Sequence, residues 1–263
     1  MQNSTKLVVV VENESLFLPN LLAQLAQKEL VDKIILISPA FSYKRLKKSI
    51  TRIYDTFGLV TCLNLVISVV LGKVADFIFK DKFYSIQKIS KLYDIPLITI
   101  QKLHSQQLYD LIEQSPKKVV FAQVGQKIKA DLLDKAVFWN KHCGLLPSYK
   151  GVYPIFWALL NEEPYLGVSV HVMNEEFDEG AILSQAKIAN HNLTFFQAYH
   201  TLYDLAAQLL INLCLYDEKQ TIDNTSCKSS YYSFPTSKDR KSFQKNHRFG
   251  FPFRLHPSLK LKP

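Results

Sequence analysis

Glycine is scarce in this chain, with 8 in 263 residues. Phosphate-cradling loops need glycine wherever the backbone turns tightly around the anion, so such loops should be few. Cysteine is equally sparse. Cys62, Cys143, Cys214 and Cys227 are scattered and form no CxxC pair, which argues against both a disulfide framework and a zinc site. The opening MQNSTKLVVVVENE lacks the layout of a signal peptide, because its apolar run is short and ends in acids. A reduced, cytoplasmic protein is the expectation. Repeats and low-complexity tracts are missing too. Acids are outnumbered, 23 against 32 Lys and Arg, for a net charge of +9.

The positive charge is clustered. Lys44, Arg45, Lys47, Lys48 and Arg52 form one group. Lys238, Arg240, Lys241, Lys245, Arg248, Arg254, Lys260 and Lys262 form a second, with Asp239 as the single acid among them. Such clusters attract phosphates on nucleic acid, nucleotide or lipid, or they are simply a solvated surface. Just after the first cluster, Phe57–Phe79 is apolar and about long enough to cross a bilayer. Asn64, Ser68, Lys73 and Asp76 interrupt it, and charge at membrane depth is costly. A buried or interfacial helix is expected there rather than a span.

Apolar periodicity places strands at Lys6–Val11, Lys33–Ile37, Pro96–Ile100, Lys118–Gln123 and Ala136–Lys141. Helical patterns fill Ser15–Leu30, most of 41–93, His104–Gln114 and Ala130–Lys135. This alternation predicts an α/β fold with a mostly parallel central sheet and helices on both faces. Further on, a helix is expected near Pro154–Asn161 and strands at Gly167–Met173 and Ile182–Ile188. Thr194 is placed to cap a helix running to about Leu213. Residues 1–215 read as one domain with a helical insertion at about 41–93. Residues 216–263 read as a basic, aromatic and irregular extension packed on it.

Chemistry is most concentrated near the middle. Asn140 and His142 end a strand, and alternation points both side chains to one face. Ligands of open α/β sheets sit beyond the carboxyl ends of strands. Asp178 lies in the turn-like EFDEG. An amide can donate to a developing oxyanion, an imidazole can stabilise it or move protons, and a carboxylate can orient the imidazole or accept a proton. Each residue also has a structural reading, as a strand-end pair and a turn acid, and spacing alone leaves the function open. His142, His171 and Asp178 lack metal-ligand spacing, so no metal is expected. Cys143 should point away from His142, which disfavours a Cys–His nucleophile.

Residues 140–185 read NKHCGLLPSYKGVYPIFWALLNEEPYLGVSVHVMNEEFDEGAILSQ. The stretch resembles formyl-folate-dependent formyltransferases, which act on methionyl-tRNA, glycinamide ribonucleotide or amino sugars. The shared pattern is Asn-x-His, Leu-Leu-Pro, a Gly–Pro loop, Gly-(Val/Thr)-x-x-His and Asp-x-Gly. The likeness extends weakly back over residues 1–215 and stops before the tail. It implies a Rossmann-like formyltransferase fold and 10-formyltetrahydrofolate as co-substrate. It implies that Asn140 binds the formyl oxygen, that His142 supports the tetrahedral intermediate, and that Asp178 assists proton transfer from the amine and positions the donor. The pterin would lie against Val124, Gly125, Gln126 and Ile128 on one side and Met173 and Asn174 on the other. Gly144 departs from the pattern, since many members carry Ser before Leu-Leu-Pro.

The acceptor is read from other features. The first strand runs into ENESLFLPN with no glycine, unlike the phosphate loop of the glycinamide ribonucleotide enzymes. The chain after Leu213 is too short for the C-terminal barrel usual in methionyl-tRNA formyltransferases, so tRNA is the less favoured partner. A phosphate-bearing amino sugar, nucleotide-linked or lipid-linked, is the expected acceptor. Tyr153, Phe156 and Trp157 either face that sugar or pack in the core. The basic, apolar insertion 41–93 suits peripheral contact with an anionic membrane. A catalytically silent folate- or nucleotide-binding module on the same fold is the alternative of another class.

Overall fold

The computed structural model describes residues 4–79, 84–115, 119–217 and 228–254. Lys118, Cys227, Lys260 and Lys262, named above, lie outside the described residues. Along the chain run β1 (Leu7–Glu12), α1 (Leu18–Gln27), β2 (Val31–Ile37), α2 (Tyr43–Ile78), α3 (Ile86–Leu92), β3 (Leu97–Ile100), α4 (Gln106–Glu113) and β4 (Val119–Gln123). There follow α5 (Ala130–Leu133), β5 (Val137–His142), β6 (Lys150–Gly151), α6 (Pro154–Leu160), β7 (Tyr165–Val172), β8 (Ile182–Ala189), α7 (Phe195–Tyr216), β9 (Tyr231–Tyr232) and α8 (Ser237–Asn246).

Seven strands form one sheet in the order β3-β2-β1-β4-β5-β7-β8. The first five are mutually parallel, and β7 and β8 join antiparallel at one side. The sheet is therefore mostly parallel, as the alternating pattern predicts. Strand periodicity sorts β1 between two cores. Leu7, Val9 and Val11 pack with α1 and α7, through residues such as Leu21 and Leu210. Val8 and Val10 pack on the other face with Leu108 and Ile112 of α4. Both faces of β1 are thus dry, which explains its unbroken apolar run.

Local signals set the helix ends. Thr194 and Gln197 form a reciprocal capping box at the start of α7. The first helix begins later than its apolar pattern suggests. The Glu14 carboxylate accepts the backbone N–H groups of Leu16, Phe17 and Leu18 at 2.6–3.0 Å, holding the preceding turn in place.

The insertion is helical as expected, but its α2 is two helices joined at Gly58, where φ is 73° and ψ is 172°, and α3 follows. The guanidinium of Arg240 donates to the carbonyls of Tyr54 and Asp55, closing the first helix against α8.

The C-terminal extension is not simply irregular. Residues 237–246 form α8, opened by a capping box between Thr236 and Asp239. Its low apolar content conceals the helix from periodicity, because one residue, Phe243, carries the buried contact. That ring stacks on Phe156 and Phe249 at 4.7 and 4.8 Å. Arg254 of the basic tail is tied inward, paired to Asp204 at 3.1 Å, whereas Lys238, Lys241, Lys245 and Arg248 are exposed.

His200 of α7 fastens the same extension, its Nε2 donating to the carbonyl of Pro252 at 2.7 Å. Burial is the main reason its pKa lies below the ordinary histidine value. The folded state therefore binds this proton less readily than the unfolded chain, whose histidines titrate near about 6.5. Its contribution is complete above that value and is lost as pH falls through the lower folded pKa. Thermal melts should thus show stability declining below about pH 6.5, and His200→Gln should flatten that part of the profile. An unchanged slope in the variant would rule out this histidine as the cause.

Candidate active site

The carboxyl ends of β1, β4 and β5 converge on one cavity of about 790 Å³. Glu14 follows β1, Gln123 ends β4 with Val124 and Gly125 just after it, and Asn140 to Cys143 close β5. This is where the strand-order rule places a ligand.

Alternation along β5 holds as expected. Phe138 packs into the α4 face, and Trp139 and Cys143 into the α1–α7 face. Asn140 and His142 share the first of these faces. Cys143 is buried on the other, with the Lys141 ammonium 3.5 Å from its sulfur. Burial pushes the Cys143 thiol up in pKa, the reverse of what a nucleophile needs.

Asp178 reaches this strand from the loop between β7 and β8. Its backbone is left-handed, with φ 56°. Oδ1 lies 3.3 Å from His142 Nδ1 and 3.7 Å from His171 Nε2. Oδ2 accepts the Gly151 N–H at 2.8 Å. Burial, the largest influence, would raise the Asp178 pKa. Hydrogen bonding and charge from His171, His142 and Gly151 together outweigh it and hold the carboxyl below its usual range. It is ionised at neutral pH.

His142 is clamped from both sides. Its Nε2 is 2.7 Å from the carbonyl oxygen of Tyr149, which can only accept, so this nitrogen carries a hydrogen. Nδ1 faces the Asp178 carboxylate, another acceptor. The contacts thus favour a doubly protonated ring, whereas burial, its main influence, pushes the His142 pKa down. Burial thus opposes the charge that the contacts favour, and burial has the larger effect.

Sequence reading finds these three residues but not their supports. Gly151, with φ 96°, approaches the backbone of Tyr232 so closely that an added Cβ would stand 2.1 Å from its carbonyl oxygen. Pairing of β6 with β9 locks the amide that holds Asp178. Gly180 lies against the Val172 carbonyl just as tightly, at 1.6 Å from an added Cβ. Ser169 donates to the Gly144 carbonyl, and Gln185 donates to Ser169 and to the Leu146 carbonyl, tying the Leu-Leu-Pro turn to β7 and β8.

A shallow cleft adjoins the cavity and shares Val124, Asn140, Phe177 and Asp178 with it. Its walls include four residues assigned to the donor by resemblance: Val124 and Ile128 on one side, Met173 and Asn174 on the other. Gly125 lines the large cavity. Gln126 is exposed and lines neither space. Lys127 and Glu176, joined at 2.7 Å, bridge the two walls of the cleft. Around the junction, Gln123 Oε1 and Asn140 Oδ1 are buried with no hydrogen-bond partner. Native proteins leave few such atoms unpaired, so the site fits a ligand rich in polar edges. Among the described residues no cluster is arranged to hold a metal ion.

Aromatic residues dominate the rest of the large cavity, including Phe57, Tyr153, Tyr199, Tyr203, Tyr231 and Phe234. Of the three aromatics singled out in the sequence, only Tyr153 lines it. Phe156 is fully buried in the core. Trp157 stacks on Tyr232 at 4.9 Å and donates to the Val152 carbonyl. Helical spacing within α6 turns these two inward. Two cations also face the cavity: Arg52 of the first basic cluster, 4.3 Å above the Phe234 ring, and buried Lys141, which no motif marks, 3.4 Å from the centre of the Tyr203 ring.

The fold and this grouping define an α/β protein with an amide, an imidazole and a carboxylate meeting at the carboxyl edge of its sheet. The family profile described as formyl transferase matches residues 73–213, and the chain belongs to that family. Among curated relatives, the methionyl-tRNA formyltransferase of Finegoldia magna is 29% identical over 143 residues, covering 53% of this chain and 46% of that protein. The bifunctional polymyxin resistance protein ArnA of Wigglesworthia glossinidia brevipalpis is 27% identical, covering 60% of this chain and 25% of that protein. The chain thus spans about half or less of these two relatives.

Solved structures share the fold at low identity. The N-formyltransferase of Helicobacter canadensis, in complex with folinic acid and dTDP-3-aminofucose, superposes with a TM-score of 0.53 at 17% identity, covering 92% of this chain and 80% of that one. The phosphoribosylglycinamide formyltransferase of Streptococcus pneumoniae gives 0.55 at 13% identity, covering 80% and 97%.

Proposed function

We propose that this protein transfers a formyl group from 10-formyltetrahydrofolate to the primary amine of a phosphate-linked amino sugar. The observation that carries the reaction is the meeting of Asn140, His142 and Asp178 at the junction of the cleft and the aromatic cavity. Val124, Ile128, Met173 and Asn174 would hold the pterin, as apolar walls suit a flat heterocycle. The bound donor supplies an activated formyl amide.

Within that frame the side chains have separate tasks. The Asn140 amide donates to the carbonyl oxygen as negative charge develops there. His142, held by Tyr149 and Asp178, stabilises the same charge. Asp178, kept ionised, accepts the proton released when the amine nitrogen bonds to the formyl carbon. As the bond from that carbon to the folate nitrogen breaks, a proton returns to the leaving nitrogen.

The acceptor reading rests on Glu14 and the cavity. The backbone donors before α1, a ready site for a phosphate, are already bound by the chain's own carboxylate. This disfavours a phosphate held there. The aromatic cavity instead offers ring faces for sugar or base, and Arg52 offers a cation for phosphate. The sequence relatives favour a second acceptor, methionyl-tRNA, and the net charge of +9 suits it.

Purified protein with 10-formyltetrahydrofolate and a panel of amines, followed by mass spectrometry, distinguishes the two. Formylation of nucleotide- or lipid-linked amino sugars is the expected result. Turnover on charged initiator tRNA alone would replace the amino-sugar reading, and turnover on no amine would favour a silent binding module.

A further inference from the structure

The second half of α2 wears its amphipathic pattern inside out. Thr61, Ser68, Gly72 and Ala75 are buried against the protein. Leu59, Leu63, Val66, Val70, Val74 and Phe77 recur at spacings of three and four and face outward, Phe77 being 92% exposed. A water-facing helix has the opposite arrangement. The close approach of Gly72 to Tyr84 shows that the small-residue side is a packed interface, so the apolar side is the free one. Such a continuous exposed stripe marks an interaction surface.

We infer that this stripe docks the protein on an anionic lipid bilayer. Three observations favour lipid as the occupant. The apolar half, 59–78, is about 30 Å long and carries only Lys73 and Asp76 as charges, matching the scale of a bilayer rather than of a side-chain pocket. Asp76 is turned inward, accepting the Tyr84 N–H at 2.6 Å, so the outward face keeps a single lysine, a residue that can extend its ammonium to the headgroups. Before Gly58 the same helix presents Lys44, Arg45, Lys47 and Lys48, all exposed, which complement anionic headgroups. Because the inner face packs on the protein, α2 lies along the interface instead of crossing it.

The docking has a consequence for substrate that rests on the formyl-transfer reading. Arg52, Ile53, Phe57 and Leu65 of this helix line the large cavity. Docking brings that wall to the interface, where an amino sugar carried on a lipid phosphate can enter without leaving the bilayer. Residues of α2 before 73 lie outside the family match, so family membership alone does not account for the stripe.

Flotation of the whole protein with phosphatidylcholine vesicles, with and without phosphatidylglycerol, tests the docking without reading turnover. Binding should require phosphatidylglycerol and weaken with salt. Each of Lys44, Lys47 and Lys48 changed to Gln should lower partitioning roughly fivefold. Leu63→Asp with Val70→Asp should abolish it, with the melting temperature unchanged because both sites are exposed. Failure to float on anionic vesicles at low salt would overturn the proposal. So would sedimentation showing a dimer that the double variant dissolves while wild type still does not float, since a second copy would then cover the stripe. Loss of turnover with flotation intact would count against the formyl-transfer reading alone.

Discussion

Asp178→Asn is expected to lower kcat by roughly 10²–10⁴-fold, the range in which a positioned proton acceptor contributes. The change is nearly isosteric, and asparagine tolerates the left-handed backbone that Asp178 adopts, so the loop should keep its shape. The amide can still accept the Gly151 N–H, but it carries no charge with which to accept the amine proton. Asn140→Ala should cost about 10²–10³-fold, as removal of one oxyanion donor does. Because the two residues act on one reacting centre, the double variant should fall well short of the product of the single losses. Stopped assays on the amine that turns over, with circular dichroism to confirm folding, provide the measurement. Full activity in Asp178→Asn would remove the carboxylate from the mechanism.

Phe243→Ala should destabilise the protein by about 3–5 kcal/mol, a large part of the stability of an ordinary domain. The ring is fully buried against both Phe156 and Phe249, so its removal leaves a cavity that rigid aromatic neighbours cannot fill. The effect should reach the site. Loosening α8 frees Arg240 from the turn at Gly58, and loosening the extension weakens the β9 pairing behind Gly151 and Asp178. Denaturant unfolding would give the loss of stability. A change below about 1 kcal/mol would show the extension to be a passive appendage.

Legibility in the sequence follows the range over which each signal acts. Strands β1, β2 and β4 are buried on both faces, so their apolar runs stand out. The β5 pair, Asn140 and His142, is legible because strand alternation is local. The Thr194 cap is legible because its partner, Gln197, lies three residues away. The extension was harder. A helix buried through one phenylalanine has no apolar period to read, and the two-residue strand Tyr231–Tyr232 exists only because Lys150–Gly151 lies beside it. Phe156 and Trp157 could not be sorted from Tyr153 by type, since the turn of α6 decides which ring faces the cavity.

The sequence by itself determined the alternating architecture, the family-like segment Asn140–Gln185 and the three residues on which the proposed chemistry depends. Each is encoded by neighbours in the chain or by an ordered motif. Strand order was decided only in three dimensions, and with it the convergence of Glu14, Gln123 and Lys141 on one cavity, the clamp on His142, and the tail's grip on Gly151. Contacts between distant residues form because several elements bury their apolar faces together, and no local period records which elements those are. The same is true of α2. Its composition announced an apolar helix, but only the packed structure shows that the small residues face inward and the large ones outward.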